Sequence, residues 1–243
     1  MSSTVVPAST AVAAASKVAA PESPGGEAAA TDETTAVREP RELCQVGRGG
    51  ELAMAAPAVP VAFVPQAEHG LPGRLGLAPA PGRWRPWDAG RPGDAVDEDL
   101  ASLRRACGAY VLVTLLERAE MSRIGVASLF DCARRSGVEY HWMPIPDGEA
   151  PSSFEVTSRL VATVLDRLAA GRTVIVHCHG GIGRSGTIVA CALVAAGVEP
   201  ARAVEVVREA RAGAATAPGQ EQFVHEFGRD WKRRAETQIH QGP

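Results

Sequence analysis

An α/β domain with a central, mainly parallel sheet flanked by helices is predicted by three observations. Apolar, β-rich runs recur at Tyr110–Leu116, Val138–Ile145 and Thr173–His177. Between them, residues 126–135 and 152–170 place their apolar side chains at helical spacing, and glycines at 137 and 171 close those segments. Strands alternating with amphipathic helices are the pattern of a parallel sheet joined by crossover helices.

Taken in order, the chain begins with a segment poor in bulky apolar residues. Residues 1 to 62 contain no Phe, Trp, Tyr or Ile and consist mainly of Ala, Ser, Thr, Pro, Gly, Val and Glu. Such a composition buries too little apolar surface to offset the entropy of ordering, so residues 1–66 are read as a disordered low-complexity tail. A targeting peptide is not predicted, because the first arginine is Arg38, acidic residues are present, and no compact apolar run ends in a cleavage pattern. Gly70 to Gly93 is dense in Gly, Pro, Arg and Trp, with room for a short strand at Arg74–Leu77. Asp97 is expected to cap a helix that runs to Cys107 and stops at Gly108. After the strand at Tyr110–Leu116 come a helix at Val126–Arg135 and a strand at Val138–Ile145, which the prolines at 144 and 146 break into a loop. A long helix from Ser152 or Ser153 to Ala170 leads into the strand Thr173–His177. Helices at Ser185–Ala196, Pro200–Ala212 and Pro218–Ala235 complete a helical layer, so the folded domain is placed at 67–236, with a flexible C-terminus at 237–243.

Composition excludes several classes. The formal net charge of −3 gives no long-range attraction for nucleic acid. No apolar stretch approaches the roughly 18 residues of a membrane span. The five cysteines (Cys44, Cys107, Cys132, Cys178 and Cys191) are odd in number, irregularly spaced and never at C-x-x-C spacing, which supports neither a disulfide framework nor a zinc site. A reducing, cytoplasmic location fits that usage.

The chemistry is concentrated where the strand Thr173–His177 ends on Cys178. That cysteine opens the turn His179-Gly180-Gly181-Ile182-Gly183, which closes on Arg184 and Ser185 at a helix start. Successive backbone N–H groups in a five-residue loop can converge on a tetrahedral oxyanion, and a helix N-terminus adds unpaired donors and positive potential. Arg184 contributes a planar fork matched to two phosphate oxygens. A thiol beneath a phosphate held in this way is favoured as thiolate and placed to attack phosphorus.

Two other readings of the same letters are weaker. Gly181-Ile-Gly183-Arg-Ser-Gly186 also fits the dinucleotide fingerprint G-x-G-x-x-G, but that fold requires a further strand ending in an acidic residue about 20 positions on. The residues that follow are instead alanine- and arginine-rich and helical. A buried structural cysteine has no reason to be followed by four glycines and an arginine within eight positions.

Phosphoryl transfer to a thiol needs a proton for the departing oxygen and later a base for water. Asp147, 31 residues before Cys178 on the loop after the neighbouring strand, is the candidate, with Glu149 the alternative acid. Asp131 and Asp166 fall on helices away from the strand ends. His177 should orient the loop and stay clear of phosphate, because adjacent strand residues point to opposite faces. Ser185 can donate its hydroxyl to the sulfur, and it is also a good helix N-cap. Gln220 is a candidate for positioning water, although a solvated helix-start glutamine reads the same. No metal or other cofactor is required by this set.

The H-C-x5-R-S loop resembles the active-site motif of the dual-specificity branch of the protein-tyrosine phosphatases, in particular the kinase-associated, cyclin-dependent-kinase-inhibitor type. The likeness extends to Leu75-Gly-Leu-Ala-Pro-Ala-Pro-Gly82, Glu120-Met-Ser-Arg123, Pro144-Ile-Pro-Asp147-Gly148 with Pro151, Arg211-Ala-Gly-Ala214, Gln220 and His225-Glu226-Phe227. It covers most of residues 71 to 230. The resemblance implies Cys178 as nucleophile and Arg184 as phosphate clamp. By the same likeness Asp147 is the general acid, Ser185 the thiolate stabiliser and Gln220 a supporting group. Glu149 departs from the family, whose members tend to carry a second glycine there. The expected activity is hydrolysis of phosphotyrosine, with phosphoserine or phosphothreonine, on a protein or peptide by a monomer. A phosphoinositide or other small phosphate monoester, and a phosphopeptide-binding pseudo-enzyme, are the alternatives. A sulfurtransferase loop usually lacks both this form and the upstream acid. Richness in Ala, Gly and Arg points to a high-GC bacterial origin, a setting that does not fit a cyclin-dependent kinase as partner.

Overall fold

Among the described residues, five strands form one sheet in the order β1-β2-β5-β3-β4. The computed structural model describes residues 59–83, 92–108, 110–215, 217 and 219–240. The strands are β1 (Ala62–Phe63), β2 (Leu75–Ala78), β3 (Tyr110–Thr114), β4 (Glu139–Trp142) and β5 (Thr173–His177). β5 is central and pairs in parallel with β2 and β3, and β4 adds in parallel beyond β3. Only β1 at the edge runs antiparallel, across Ala62↔Leu77 and Phe63↔Gly76. The mainly parallel α/β arrangement is therefore observed.

The helices are α1 (Gln66–His69), α2 (Pro92–Cys107), α3 (Arg118–Arg123), α4 (Leu129–Arg135), α5 (Phe154–Ala169), α6 (Gly183–Ala195), α7 (Pro200–Ala210) and α8 (Gln220–His240). They cover both faces of the sheet, which is why its inner strands read as unbroken apolar runs. Alternation along each strand divides the core. Val111, Val113, Val174 and Val176 face Ile188, Leu193, Val204 and Phe227. Tyr110, Leu112 and Ile175 face Leu100, Leu103 and Leu129. No helix among the described residues is long and apolar enough to cross a membrane.

Several expectations need correction. The folded region does not begin at 67: Val59 is fully buried and Val64 nearly so, and Ala62–Phe63 supplies the antiparallel edge strand. Alanine- and proline-rich flanks hide this strand, because two paired residues leave no period to detect. The rest of the expected tail, residues 1–58, lies outside the described residues. At the other end α8 continues to His240, so the C-terminus expected to be flexible from 237 is helical through 240. Asp97 does not cap a helix. α2 starts at Pro92, where a missing N–H costs nothing, and Asp97 sits inside it, accepting from Arg135 at 2.8 Å. Ser153, by contrast, does cap α5, its Oγ accepting from Val156 N. The short α3 was not expected, since six residues are too few to show a helical period.

Candidate active site

The site forms where β5 ends, between two parallel neighbours. His177, the last residue of β5, stands opposite Ala78 of β2 and Thr114 of β3. Its ring is fully buried, with Nε2 2.9 Å from Thr114 Oγ1 and Nδ1 3.3 Å from the Cys178 carbonyl oxygen. Burial pushes its pKa down to about 4, so the imidazole is neutral near pH 7 and works as a hydrogen-bonding strut between strand and loop.

The chain then turns through 178–183. Ala80 N donates to the His179 carbonyl, and Arg211 Nη2 donates to the Gly180 carbonyl at 3.0 Å. Gly181 has a φ of +69°, and a Cβ there would lie 2.2 Å from the Ala78 carbonyl carbon. Only glycine allows both the left-handed turn and this approach to β2. Gly181 packs against the sheet edge, whereas Cys178, His179, Gly180, Ile182, Gly183 and Arg184 line a cleft of about 210 Å³ together with Asp147, Gly148, Ala217 and Gln220. Gly181 thus shapes the loop without forming its wall.

α6 begins at Gly183 with Ile182 as its N-cap residue, so Ser185 is not the cap. It lies in the first turn, fully buried, with Oγ 3.5 Å from Cys178 Sγ. Its side chain is thereby free for the sulfur instead of for helix N–H groups. The N-terminus of the thirteen-residue α6 opens on the cleft beside the thiol, where its unpaired donors favour negative charge.

Arg184 is nearly inaccessible, and its guanidinium is fixed from several directions. Nη1 donates to Glu120 Oε2 at 2.7 Å and to the Ile145 carbonyl at 2.9 Å, and Nη2 donates to Glu120 Oε1 at 2.8 Å. Nη2 also lies 2.8 Å from Asp147 Oδ1. Burial works against the Arg184 charge, but Glu120, Cys178 and Asp147 outweigh it and hold its pKa above the ordinary value. Burial likewise raises the Glu120 pKa, and the Arg184 hydrogen bonds and charge, with His179, overcome it, leaving Glu120 below its ordinary value.

The structure brings Cys178, Arg184, Ser185, Asp147, His179, Gly180, Ile182, Gly183 and Gln220 together, with His177 directly behind them. Glu149 contributes its backbone: its carbonyl accepts from Gln220, and Asp147 is the carboxylate that lines the cleft. Glu120 had no role in the sequence reading although it fell within a matched stretch. Its signal was only an acidic residue on a short segment, and its partner lies 64 positions away. Thr114 and Arg211 were missed for the same reason.

Glu120, Asp147 and His179 also bring one donor atom each within 4.8 Å of one another, a spacing compatible with a metal ion. The Arg184 guanidinium already engages both Glu120 oxygens and Asp147 Oδ1, so these carboxylates have a cation among them.

Residues 88–198 match a family model described as "Polymorphic toxin system, DSP-PTPase phosphatase". Cyclin-dependent kinase inhibitor 3 of Sus scrofa is 32% identical over 138 residues, covering 54% of this chain and 63% of that protein. The chain thus spans just under two thirds of the length of the curated relatives it matches first. A solved structure of kinase-associated phosphatase, with serine in place of its catalytic-site cysteine, is similar at a TM-score of 0.64 and 26% identity, over 72% of this chain and 96% of that one. Tk-PTP in its active form is similar at a TM-score of 0.55 and 26% identity, over 70% and 96% of the two chains.

Proposed function

Because this chain belongs to the dual-specificity and protein-tyrosine phosphatase family, we propose that it is a cysteine-dependent protein phosphatase. It hydrolyses phosphotyrosine, with phosphoserine or phosphothreonine open to the same chemistry, through a phosphocysteine intermediate. The observation that carries the proposal is the convergence of Cys178, Ser185, Arg184 and Asp147 at the mouth of one helix N-terminus.

In the first step the substrate phosphate takes the place of the Asp147 carboxylate on Arg184. Asp147, displaced from the guanidinium, takes up a proton from solvent; the Cys178 thiolate then attacks phosphorus, the bond from phosphorus to the ester oxygen breaks, and Asp147 gives that oxygen the proton. In the second step water attacks the phosphocysteine and Asp147 takes a proton from it. The S–P bond breaks, and the sulfur leaves as a thiolate that the Ser185 hydroxyl stabilises. Backbone donors of the loop residues that line the cleft, with the α6 N-terminus, hold the equatorial oxygens while charge develops there. His177 and Glu120 keep the loop and the guanidinium in place and do not touch the phosphate.

The related kinase-associated phosphatase, in which a catalytic-site cysteine is identified, supports the assignment of Cys178. A phosphorylated protein or peptide is the substrate class that follows. A phosphoinositide would call for several cations to match its phosphates, and the described residues lining the cleft provide only Arg184 and the His179 imidazole. A pseudo-enzyme is disfavoured because each group the chemistry requires is present. A monomer in the reducing cytoplasm completes the proposal, since a nucleophilic thiolate lining a cleft persists where disulfides do not. Release of inorganic phosphate from a panel of phosphopeptides tests it. Turnover that is lost in Cys178→Ser supports the proposal, and no release from any phosphopeptide contradicts it.

A further inference from the structure

Gln220 joins three segments that the catalytic cycle needs in register. It is the first residue of α8, a position where glutamine is normally solvated, yet it is fully buried. Its Nε2 donates to the Glu149 carbonyl at 3.0 Å, and its Oε1 accepts from Ala217 N at 3.2 Å. Glu149 stands two residues beyond Asp147 on the same loop. The amide also lies on the phosphate-cradling loop: a Cβ at Gly183 would meet Nε2 and Oε1 at 3.0 Å each. One side chain therefore ties the acid loop to the α7–α8 connection across the first residue of α6.

The placement of Asp147 makes this tie consequential. Its side chain is 64% exposed and is held by the ion pair to Arg184. A substrate phosphate must claim that same guanidinium, so the ion pair fails at the moment the acid has to be in place. The bond from Gln220 to the Glu149 carbonyl is untouched by phosphate and still holds the loop over the cleft.

We propose that Gln220 is a positioning residue for the general acid, a latch that keeps the Asp147 loop closed while the leaving group is protonated. The inference rests on the reading of Asp147 as that acid. It differs from a water-aligning role, which belongs only to the second step.

The test compares kcat/KM, which reports formation of the phosphocysteine, over aryl phosphates of graded leaving-group basicity. Gln220→Glu keeps the size and the acceptor for Ala217 N–H but turns an oxygen toward the Glu149 carbonyl. Gln220→Asn keeps the amide and is too short to span the gap. Each loss is read as a ratio between two substrates in one preparation, so partial misfolding cancels. In both variants the loss in kcat/KM should be about tenfold or more greater for phenyl phosphate than for an ester of a strongly acidic phenol, any loss common to both substrates cancelling in the ratio. In an Asp147→Asn background, adding Gln220→Glu should produce no further leaving-group-dependent loss. Equal losses across the series would reduce Gln220 to general support and overturn the latch. A lower kcat with unchanged kcat/KM for every substrate would do the same by assigning it only to the water step. If Asp147→Asn itself loses equally across the series, the acid assignment falls, and the latch with it.

Discussion

Glu120 and Arg184, 64 positions apart in the chain, form a buried ion pair in which both carboxylate oxygens accept from the two terminal guanidinium nitrogens, at 2.7 and 2.8 Å. The pair sets the plane of the guanidinium before any phosphate arrives. Pre-organisation of this kind matters because an arginine free to rotate would spend binding energy on its own ordering.

Removing one partner of a buried pair leaves the other charge poorly compensated, at a cost of about 3–5 kcal/mol. Glu120→Ala should lose that much in urea unfolding, and Glu120→Gln less, because the amide oxygen still accepts from Arg184. Activity should fall in both. A change below about 1 kcal/mol for Glu120→Ala would show that the pair is solvated in solution.

His177 makes stability depend on pH in a defined window. Its pKa is about 4 when folded and about 6.5 when unfolded. Above 6.5 neither state holds the extra proton and the stability is fully present. As pH falls below 6.5 the unfolded chain takes up a proton that the folded one refuses, and stability drops by up to about 1.4 kcal/mol per pH unit until roughly pH 4. Between pH 7 and 5 the wild type should therefore lose about 2 kcal/mol more than His177→Gln, the other titrating groups cancelling in the comparison. Equal losses would mean that the ring is protonated in the folded state.

What was legible in advance was local. The cysteine loop declares itself because strand, turn and helix start are contiguous from Thr173 to Thr187. Asp147 followed from its place after a strand end. The unread features depend on distant partners: Glu120 and Thr114 acquire roles only when the sheet brings their elements beside Arg184 and His177. The edge strand at Ala62–Phe63 exists only because β2 is there to pair with it. Ser185 carried two readings in the sequence, donor to the Cys178 sulfur and helix N-cap, and only the start of α6, with Ile182 as its N-cap residue, separates them.

Gly181→Ala should damage the loop on two counts, since φ is +69° and the added methyl would meet the Ala78–Pro79 peptide at 2.2–2.5 Å. Backbone cannot yield as a flexible side chain can. Phosphate hydrolysis should fall by at least about tenfold, with weakened inhibition by inorganic phosphate. Unaltered kinetics would show that the turn is softer than its packing implies.

A chain starting at 67 should be less stable than one starting at 59. It lacks β1 and the buried Val59 and Val64, each worth about 1.5–3 kcal/mol of apolar burial before ordering entropy is subtracted. A net loss of about 2 kcal/mol or more is expected in urea unfolding of the shorter chain. Matching unfolding midpoints would show that the edge strand adds nothing.

The proposed mechanism requires that the Cys178 sulfur carry the phosphoryl group. The direct measurement is mass analysis of protein quenched during turnover of a phosphotyrosine peptide, with Asp147→Asn included because it cannot efficiently activate the water that clears the intermediate. A phosphoryl group is expected on the peptide containing Cys178, with none in Cys178→Ser and no turnover by that variant. Sustained hydrolysis by Cys178→Ser, or a phosphoryl group found on another residue, would contradict it.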